Sequence, residues 1–403
     1  MTQDHAAREV AREWNDKPDW STAKPNWVNI VFLTGFPLIT LVATIWYLRN
    51  YGFQWSDAVV FLVMMVFVGF SITGGYHRLF AHRTYESNRA LKLFFLCFGA
   101  AGLQNSVLHW ASDHRFHHLH VDKASDPYNI NKGFWWAHIG WIFFGDPVGR
   151  NYKNAVDLER DPLVQWQARY YLRIATVFGL GFPALLGWTM GNPVGGIVWG
   201  CLVRTVVLHH ATFLINSGAH YFGSRPYSTD STARDCWWLA VPALGEGYHN
   251  FHHTFASDYR NGVRWYQYDP SKWFIYLLEK IGVTSKLQRV PDALIIKSRL
   301  NRKHEQAREL LESRASAWSD SVWEAMEKSL ARAEEALGEL SDVKKRYRQW
   351  WLTERKLIDR RERRLLKTIW VREMKAYKAA FRDARRGYIH LWQQLRRQVS
   401  TVS

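Results

Sequence analysis

Three stretches of this chain, 25–48, 58–76 and 174–203, carry no charged side chain, and the last is interrupted only by a Gly-Asn-Pro corner at 191–193. Apolar runs of that length belong in a bilayer. There each backbone amide must be satisfied within its own helix. The sequence therefore predicts an all-α integral membrane protein with four spans, over 26–48, 55–73, 170–190 and 194–215, arranged as two tight hairpins. Trp27, Trp46 and Tyr47 bracket the first span as interfacial aromatics. Lys and Arg number one in the first hairpin turn and none in the second, against four before the first span, eleven in 74–169 and thirty-five after Asn216. The positive-inside rule then predicts that both termini and the long central loop are cytoplasmic. The stretch 90–110 is also apolar, but Lys92 and a Gly-Ala-Ala-Gly centre mark it as a helix lying at the interface. Arg204 falls near the middle of the fourth span, where facing lipid is costly, and is expected to point inward.

The rest of the chain is polar, and the boundaries expected are a cytosolic segment 1–25, a membrane domain 26–290 and a basic helical extension 291–403. Residues 301–403 hold 25 Lys and Arg against 15 Asp and Glu, supplying +10 of the chain's formal +17. From Asp292 onward there is no proline, and the only glycines are Gly338 and Gly387. That composition reads as a long solvated helix with a narrow apolar stripe, broken in two at Gly338. The basic run at 355–364 favours an anionic membrane surface or an acidic electron carrier, and nothing in it specifies nucleic acid, so none is expected. The charged, polar first 26 residues are not expected to act as a cleavable leader. Three cysteines, Cys97, Cys201 and Cys236, exclude a disulfide framework and fit a reducing compartment.

Eight of the 17 histidines fall into three groups on the expected cytoplasmic side: His77 and His82; His114, His117 and His118; His249, His252 and His253. The two trios have i, i+3, i+4 spacing, so each shares one helical face and converges on a point. His77 and His82, at i and i+5, suit a centre wider than one ion or a locally unwound helix end. Eight imidazoles exceed the capacity of one metal, and nitrogen donors suit iron, copper or zinc rather than magnesium or calcium. Taken singly, His109, His120, His138, His209 and His210 read as satisfied core residues, and His5, His304 and His390 as solvated.

These motifs, His-Arg-x-x-x-His, His-Arg-x-His-His and Gly-Glu-Gly-Tyr-His-Asn-Phe-His-His, in that order around four spans, resemble the membrane fatty acyl desaturases, most closely the stearoyl-CoA (delta-9) group. The resemblance covers roughly residues 26–290. It implies a ninth ligand, His220, in Asn216-Ser-Gly-Ala-His220, with Asn216 reaching the metal through water. It further implies a diiron centre that uses O2 and electrons to remove two hydrogens from adjacent carbons of an acyl chain. Without a haem-binding appendage in the sequence, those electrons are expected from a separate ferredoxin-, rubredoxin- or cytochrome-type donor. Asp113, Asp126 and Glu246 are candidates to fix imidazole tautomers from behind.

By the same resemblance the acyl chain lies in a bent tunnel whose bend is set by Gln104, Trp110 and Thr212, with Arg204 also matching. Met65 and Gly69 stand where chain length is gauged, and a glycine that leaves depth beside an adaptable methionine suits saturated chains of about 16 to 18 carbons. Asp113 matches a residue that touches adenine of coenzyme A, but Ser112 and Gly145-Asp146 replace the basic residues that meet its phosphates. Arg115, Arg150, Lys153 or the tail are left to supply the charge, or the acyl carrier is a membrane lipid or carrier protein. A related diiron lipid or alkane hydroxylase, a zinc-dependent lipid hydrolase and a metal-retaining membrane scaffold remain as alternatives.

Overall fold

The computed structural model describes residues 23–145, 152–312, 320–353 and 359–401. Most of the N-terminal segment with His5, Arg150, and Arg355 and Lys356 of the basic run lie outside the described residues. The chain divides into two compact units, one running to Arg225 and from Thr229 to Arg289, the other comprising Pro226–Ser228 and everything from Val290.

Among the described residues, four helices of the first unit are long and apolar enough to cross a bilayer: α1 (Trp27–Tyr51), α2 (Trp55–Ala81), α5 (Tyr171–Thr189) and α6 (Pro193–Tyr221). Between them lie α3 (Arg89–Ala100) and α4 (Val107–His120), and after them α7 (His249–Thr254) and α8 (Pro270–Lys280). With twelve residues, α3 rises about 18 Å and cannot cross the ~30 Å hydrocarbon layer. The second and fourth spans run past the expected 73 and 215, because each helix continues beyond its apolar stretch and carries histidines out of it.

At the opposite ends of these helices a polar knot joins the two hairpins. Tyr47 Oη and Asn192 Nδ2 each donate to Asp57 Oδ1 at 2.9 Å, and Asn192 also donates to Tyr47 Oη at 2.7 Å. A side chain on Gly195 would collide with Asp57 and Asn192, which is why that position has no Cβ. Tyr47, expected at the interface, is fully buried instead, since an acid in apolar surroundings must find donors.

The core of this unit packs the end of α2 against α3 and α4, with Ile72, Tyr76 and Phe80 meeting Phe95, Leu96, Val107 and Leu108. The close approach depends on glycine: a Cβ on Gly99 would overlap the Tyr76 ring. Arg204 is fully buried, as its place in the span requires, and donates to the carbonyls of Gly200 (3.0 Å) and Ala101 (2.7 Å). A two-stranded antiparallel ribbon, β1 (Glu86–Ser87) with β2 (Thr284–Ser285), ties the start of α3 to the chain beyond α8.

The second unit is helical: α9 (Asp292–Glu312), α10 (Asp320–Thr353) and α11 (Arg360–Thr401). Its core sets Met326, Ala333 and Leu337 of α10 against Phe381 and Tyr388 of α11, with Leu300 and Ala307 of α9. Gly338 does not break α10, contrary to the sequence expectation. One helical glycine costs only about 1 kcal/mol, which the packing around it outweighs. His304, expected to be solvated, stacks on Trp323 with 4.5 Å between ring centroids and lies 3.4 Å from Tyr388 Oη.

Candidate metal centre

Three local structures aim the histidines. The α4 helix begins at Ser106, whose hydroxyl accepts from His109 N, and its regular turns put His114, His117 and His118 on one face. The short α7 does the same for His249, His252 and His253. The end of α2, Ser71–Ala81, is π-helical, and His82 N donates to His77 O at 3.0 Å, five residues back. In such a wider turn positions i and i+5 lie one above the other, so His77 and His82 face the same point.

The nine histidines form two groups. His77, His82, His114, His118 and His252 make one, and His117, His220, His249 and His253 the other, with the ligand nitrogens of each group within 4.8 Å of one another. Nε2 atoms approach at 2.8 Å (His82–His114), 2.9 Å (His118–His252), 3.0 Å (His249–His253), 3.1 Å (His77–His252) and 3.4 Å (His117–His253). Nitrogens bound to one ion at about 2.1 Å and meeting at 90–110° lie about 3.0–3.4 Å apart. His220 Nε2 is buried and has no hydrogen-bond partner among the described residues. Burial first, then mutual repulsion, lowers the pKa of His114, His118, His249, His252 and His253 well below the ordinary histidine value. These five imidazoles therefore favour the neutral form, the one that binds metal.

Groups behind the imidazoles fix which nitrogen is presented. His117 Nδ1 lies 2.9 and 3.0 Å from the carboxylate of Asp126, an acceptor, so Nδ1 carries the proton and Nε2 faces the centre. His220 Nδ1 donates to Thr232 Oγ1 at 2.8 Å, and that hydroxyl donates to Asp122 Oδ1 at 2.6 Å. Behind His77, Glu246 Oε2 lies 2.9 Å from Nδ1 but off the N–H line, so this contact is electrostatic more than a hydrogen bond. Burial acts to raise the pKa of Glu246, yet His77 and Arg78 outweigh it and hold the carboxyl below its ordinary value. Arg78 donates to Glu246 Oε1 at 2.9 Å and reaches Asp269 on its other side.

Of the residues expected to bend the acyl chain, Trp110 packs on this cage, against His77 and His114. Trp110 Nε1 donates to Gln104 Oε1 (3.2 Å), and Gln104 Nε2 donates to Thr212 Oγ1 (3.0 Å). Asn216 stands one helical turn before His220 and is partly buried, and its amide has no hydrogen-bond partner among the described residues. Met65 packs, half-buried, beside Val60, Met64 and Val68. Gly69 does not leave open depth: a Cβ there would overlap Leu244 Cδ1, so Leu244 fills the space.

Two candidates stand elsewhere. Asp113 faces His109 Nε2 at 3.8 Å, one turn back along α4. Arg115 is turned inward and engaged on every side, donating to the carbonyls of Phe80 (2.8 Å), Ala81 (2.9 Å) and Asn154 (2.8 Å) and to both oxygens of Asp157. It clamps the end of the π-helical turn instead of meeting a phosphate. Lys153 is exposed. Thr232, Asp122, Arg78, Asp269 and Leu244 escaped the sequence reading. Arg78 lies within the first motif and Leu244 adjoins the third, but nothing in the sequence marks Thr232 and Asp122 as partners 110 residues apart.

Residues 53–274 match the family model described as "Fatty acid desaturase". The chain is 39% identical over 282 residues to the "Probable acyl-CoA desaturase" of Schizosaccharomyces pombe, covering 69% of this chain and 58% of that one. It is 38% identical over 269 residues to "Acyl-CoA desaturase 1" of Saccharomyces cerevisiae, covering 66% and 52%. To the "sn-1 stearoyl-lipid 9-desaturase" of Anabaena variabilis it is 35% identical over 272 residues, covering 66% of this chain and 96% of the relative. The match thus spans only somewhat over half the length of the two yeast relatives.

Proposed function

Because the chain belongs to the fatty acid desaturase family, we propose that it is an O2-dependent integral membrane enzyme that introduces a cis double bond, at delta-9, into saturated acyl chains of about 16 to 18 carbons. One observation carries this reading: the first of two nitrogen cages lies against Trp110, which packs on His77 and His114 and is linked through Gln104 to Thr212. The nine histidines are the proposed ligands, five for one iron and four for the other, with Asn216 adding a water to the second. A five-nitrogen set exceeds what a closed tetrahedral zinc site uses. Two irons held there would supply the oxidising power, drawn from O2 and two electrons, that an unactivated C–H bond demands. The chain's own residues do the rest. Asp126, Thr232 and Glu246 hold the imidazoles, the Trp110–Gln104–Thr212 series bends and orients the substrate, and the apolar core excludes water.

In this reading the acyl carrier is coenzyme A, as in the names of the two yeast relatives. An acyl-lipid substrate is the second reading, supported by the name of the Anabaena relative and by the engagement of Arg115 with Asp157 in place of a phosphate. The distribution of Lys and Arg supports a cytoplasmic placement of both termini and the histidines. Electrons would come from a separate redox protein.

The test is expression in cells unable to make unsaturated fatty acids, followed by mass spectrometry of their lipids. Delta-9 monoenes are expected. Products heavier by one oxygen would instead indicate a hydroxylase, and no new product from iron-loaded protein with O2 and a working reductant would overturn the proposal.

A further inference from the structure

The second unit carries its charge at one end. In the half of the α10–α11 hairpin that holds the packed core, residues 320–343 have two Lys and Arg against seven Asp and Glu, and residues 373–401 have seven against two, so the two strands of that half cancel. Between them, residues 344–372 hold twelve Lys and Arg against Glu354, Asp359 and Glu362, a net of +9. The tip is also where apolar side chains are left exposed: Trp351 by 37%, Leu352 by 69%, Leu365 by 61% and Ile369 by 49%. None of these four belongs to the core of the unit. On α11, Arg361, Leu365, Thr368 and Arg372 recur at helical spacing and are all exposed, so Leu365 sits between two guanidiniums on one face.

We propose that this hairpin tip is a docking surface for an anionic lipid headgroup layer, with Arg360, Arg361, Arg364 and Lys367 on the phosphates and Trp351, Leu352, Leu365 and Ile369 entering the headgroup–acyl boundary. Basic side chains interleaved with tryptophan and leucine are the composition that lies in a membrane interface, and guanidinium pairs with phosphate through two parallel hydrogen bonds. A nucleic acid satisfies the arginines but has no apolar layer to receive the leucines and Ile369. The four spans hold the whole chain on a bilayer, so a patch too weak to recruit a soluble protein is still occupied here. The family match ends at residue 274, so this surface belongs to a part of the chain that the desaturase resemblance does not account for.

The experiment uses the full chain in lipid nanodiscs. Thr353→Cys, exposed beside Leu352, is labelled with the polarity-sensitive dye NBD, and the unsubstituted protein reports labelling of the native cysteines. Discs of phosphatidylcholine alone are compared with discs containing phosphatidylglycerol as the minor lipid. Brighter, blue-shifted emission is expected with phosphatidylglycerol, reversed by high salt. Each basic residue near an anionic surface contributes about fivefold in partitioning, so Arg361→Glu with Arg364→Glu lowers the bound fraction at least about tenfold, and Leu352→Ser with Leu365→Ser removes the blue shift. The comparison of the two lipid compositions needs no variant in the charged or apolar set, so it stands even if those fail to fold. Equal emission in both kinds of disc overturns the proposal. So does a shift produced only by an added acidic protein or single-stranded oligonucleotide in phosphatidylcholine discs.

Discussion

Gln104 donates a hydrogen bond to Thr212 across 108 residues of sequence, at 3.0 Å, while its carbonyl accepts from Trp110 at 3.2 Å. Trp110 in turn lies nearly parallel to His114, with 5.0 Å between ring centroids. The residues proposed to bend the acyl chain are therefore continuous with a proposed metal ligand, and under that proposal moving one is expected to displace the substrate.

Gln104→Leu removes both hydrogen bonds while keeping the bulk. At about 1 kcal/mol each, their loss is expected to lower kcat/KM roughly tenfold or more, with iron content unchanged and the double bond no longer confined to one position. Product analysis by mass spectrometry checks both. A single unshifted product at full rate would show that the chain of hydrogen bonds plays no part in positioning.

Asp126→Ala and Thr232→Val remove the acceptors that fix the Nδ1 protons of His117 and His220. Loss of such partners commonly weakens metal binding about 10- to 100-fold. Iron per chain after exposure to a graded chelator should fall in both variants, whereas Asp113→Asn, which faces His109, should retain iron like the parent.

Gly69→Ala forces a methyl group onto Leu244. Overpacking of this kind costs about 1–3 kcal/mol, so the melting temperature should drop and then recover when Leu244→Ala is added. The double variant opens space on the Leu244 side of Gly69, and the ratio of longer to shorter products is the readout; an unchanged ratio would remove this pair from chain-length control.

Acid should weaken the clamp on the end of α2. Burial acts to raise the pKa of Asp157, but the hydrogen bonds and charge of Arg115 outweigh it, and the carboxyl is held below its ordinary value. A carboxyl lowered by folding stabilises the fold fully above its unfolded pKa, about 3.9, and that contribution is lost as pH falls through the folded value. Thermal unfolding of the parent and of Asp157→Asn should therefore differ near neutral pH and converge below about pH 4. Because the Asp157 side chain is 34% exposed, salt should shrink the difference.

How much of this was legible beforehand differs by residue. The trios on α4 and α7 were readable because i, i+3, i+4 spacing has one meaning on an α-helix. His77 and His82 entered the same set with their geometry left open between a wide centre and an unwound helix end, because the π-helical turn that aligns them has no marker in composition. Asp126 and Glu246 were found by proximity along the chain, a rule that failed for Asp113 and had no means of reaching Asp122 and Thr232. Arg115 was misjudged because a buried cation looks like a ligand-binding one until its acceptors, the carbonyls of Phe80 and Ala81, are in place. Gly69 looked like empty space because the side chain that fills it comes from far along the sequence.

A π-turn is an α-helix made to accommodate one residue more than its pitch allows. Were this segment to relax to the commoner helix at its present length, its backbone hydrogen bonding would improve, but positions five apart would stand about 140° around the axis and His77 and His82 would no longer face one point. A more comfortable protein would then have a broken cage. The last turns of α2 are thus a place where an awkward backbone has to be maintained against an easy relaxation.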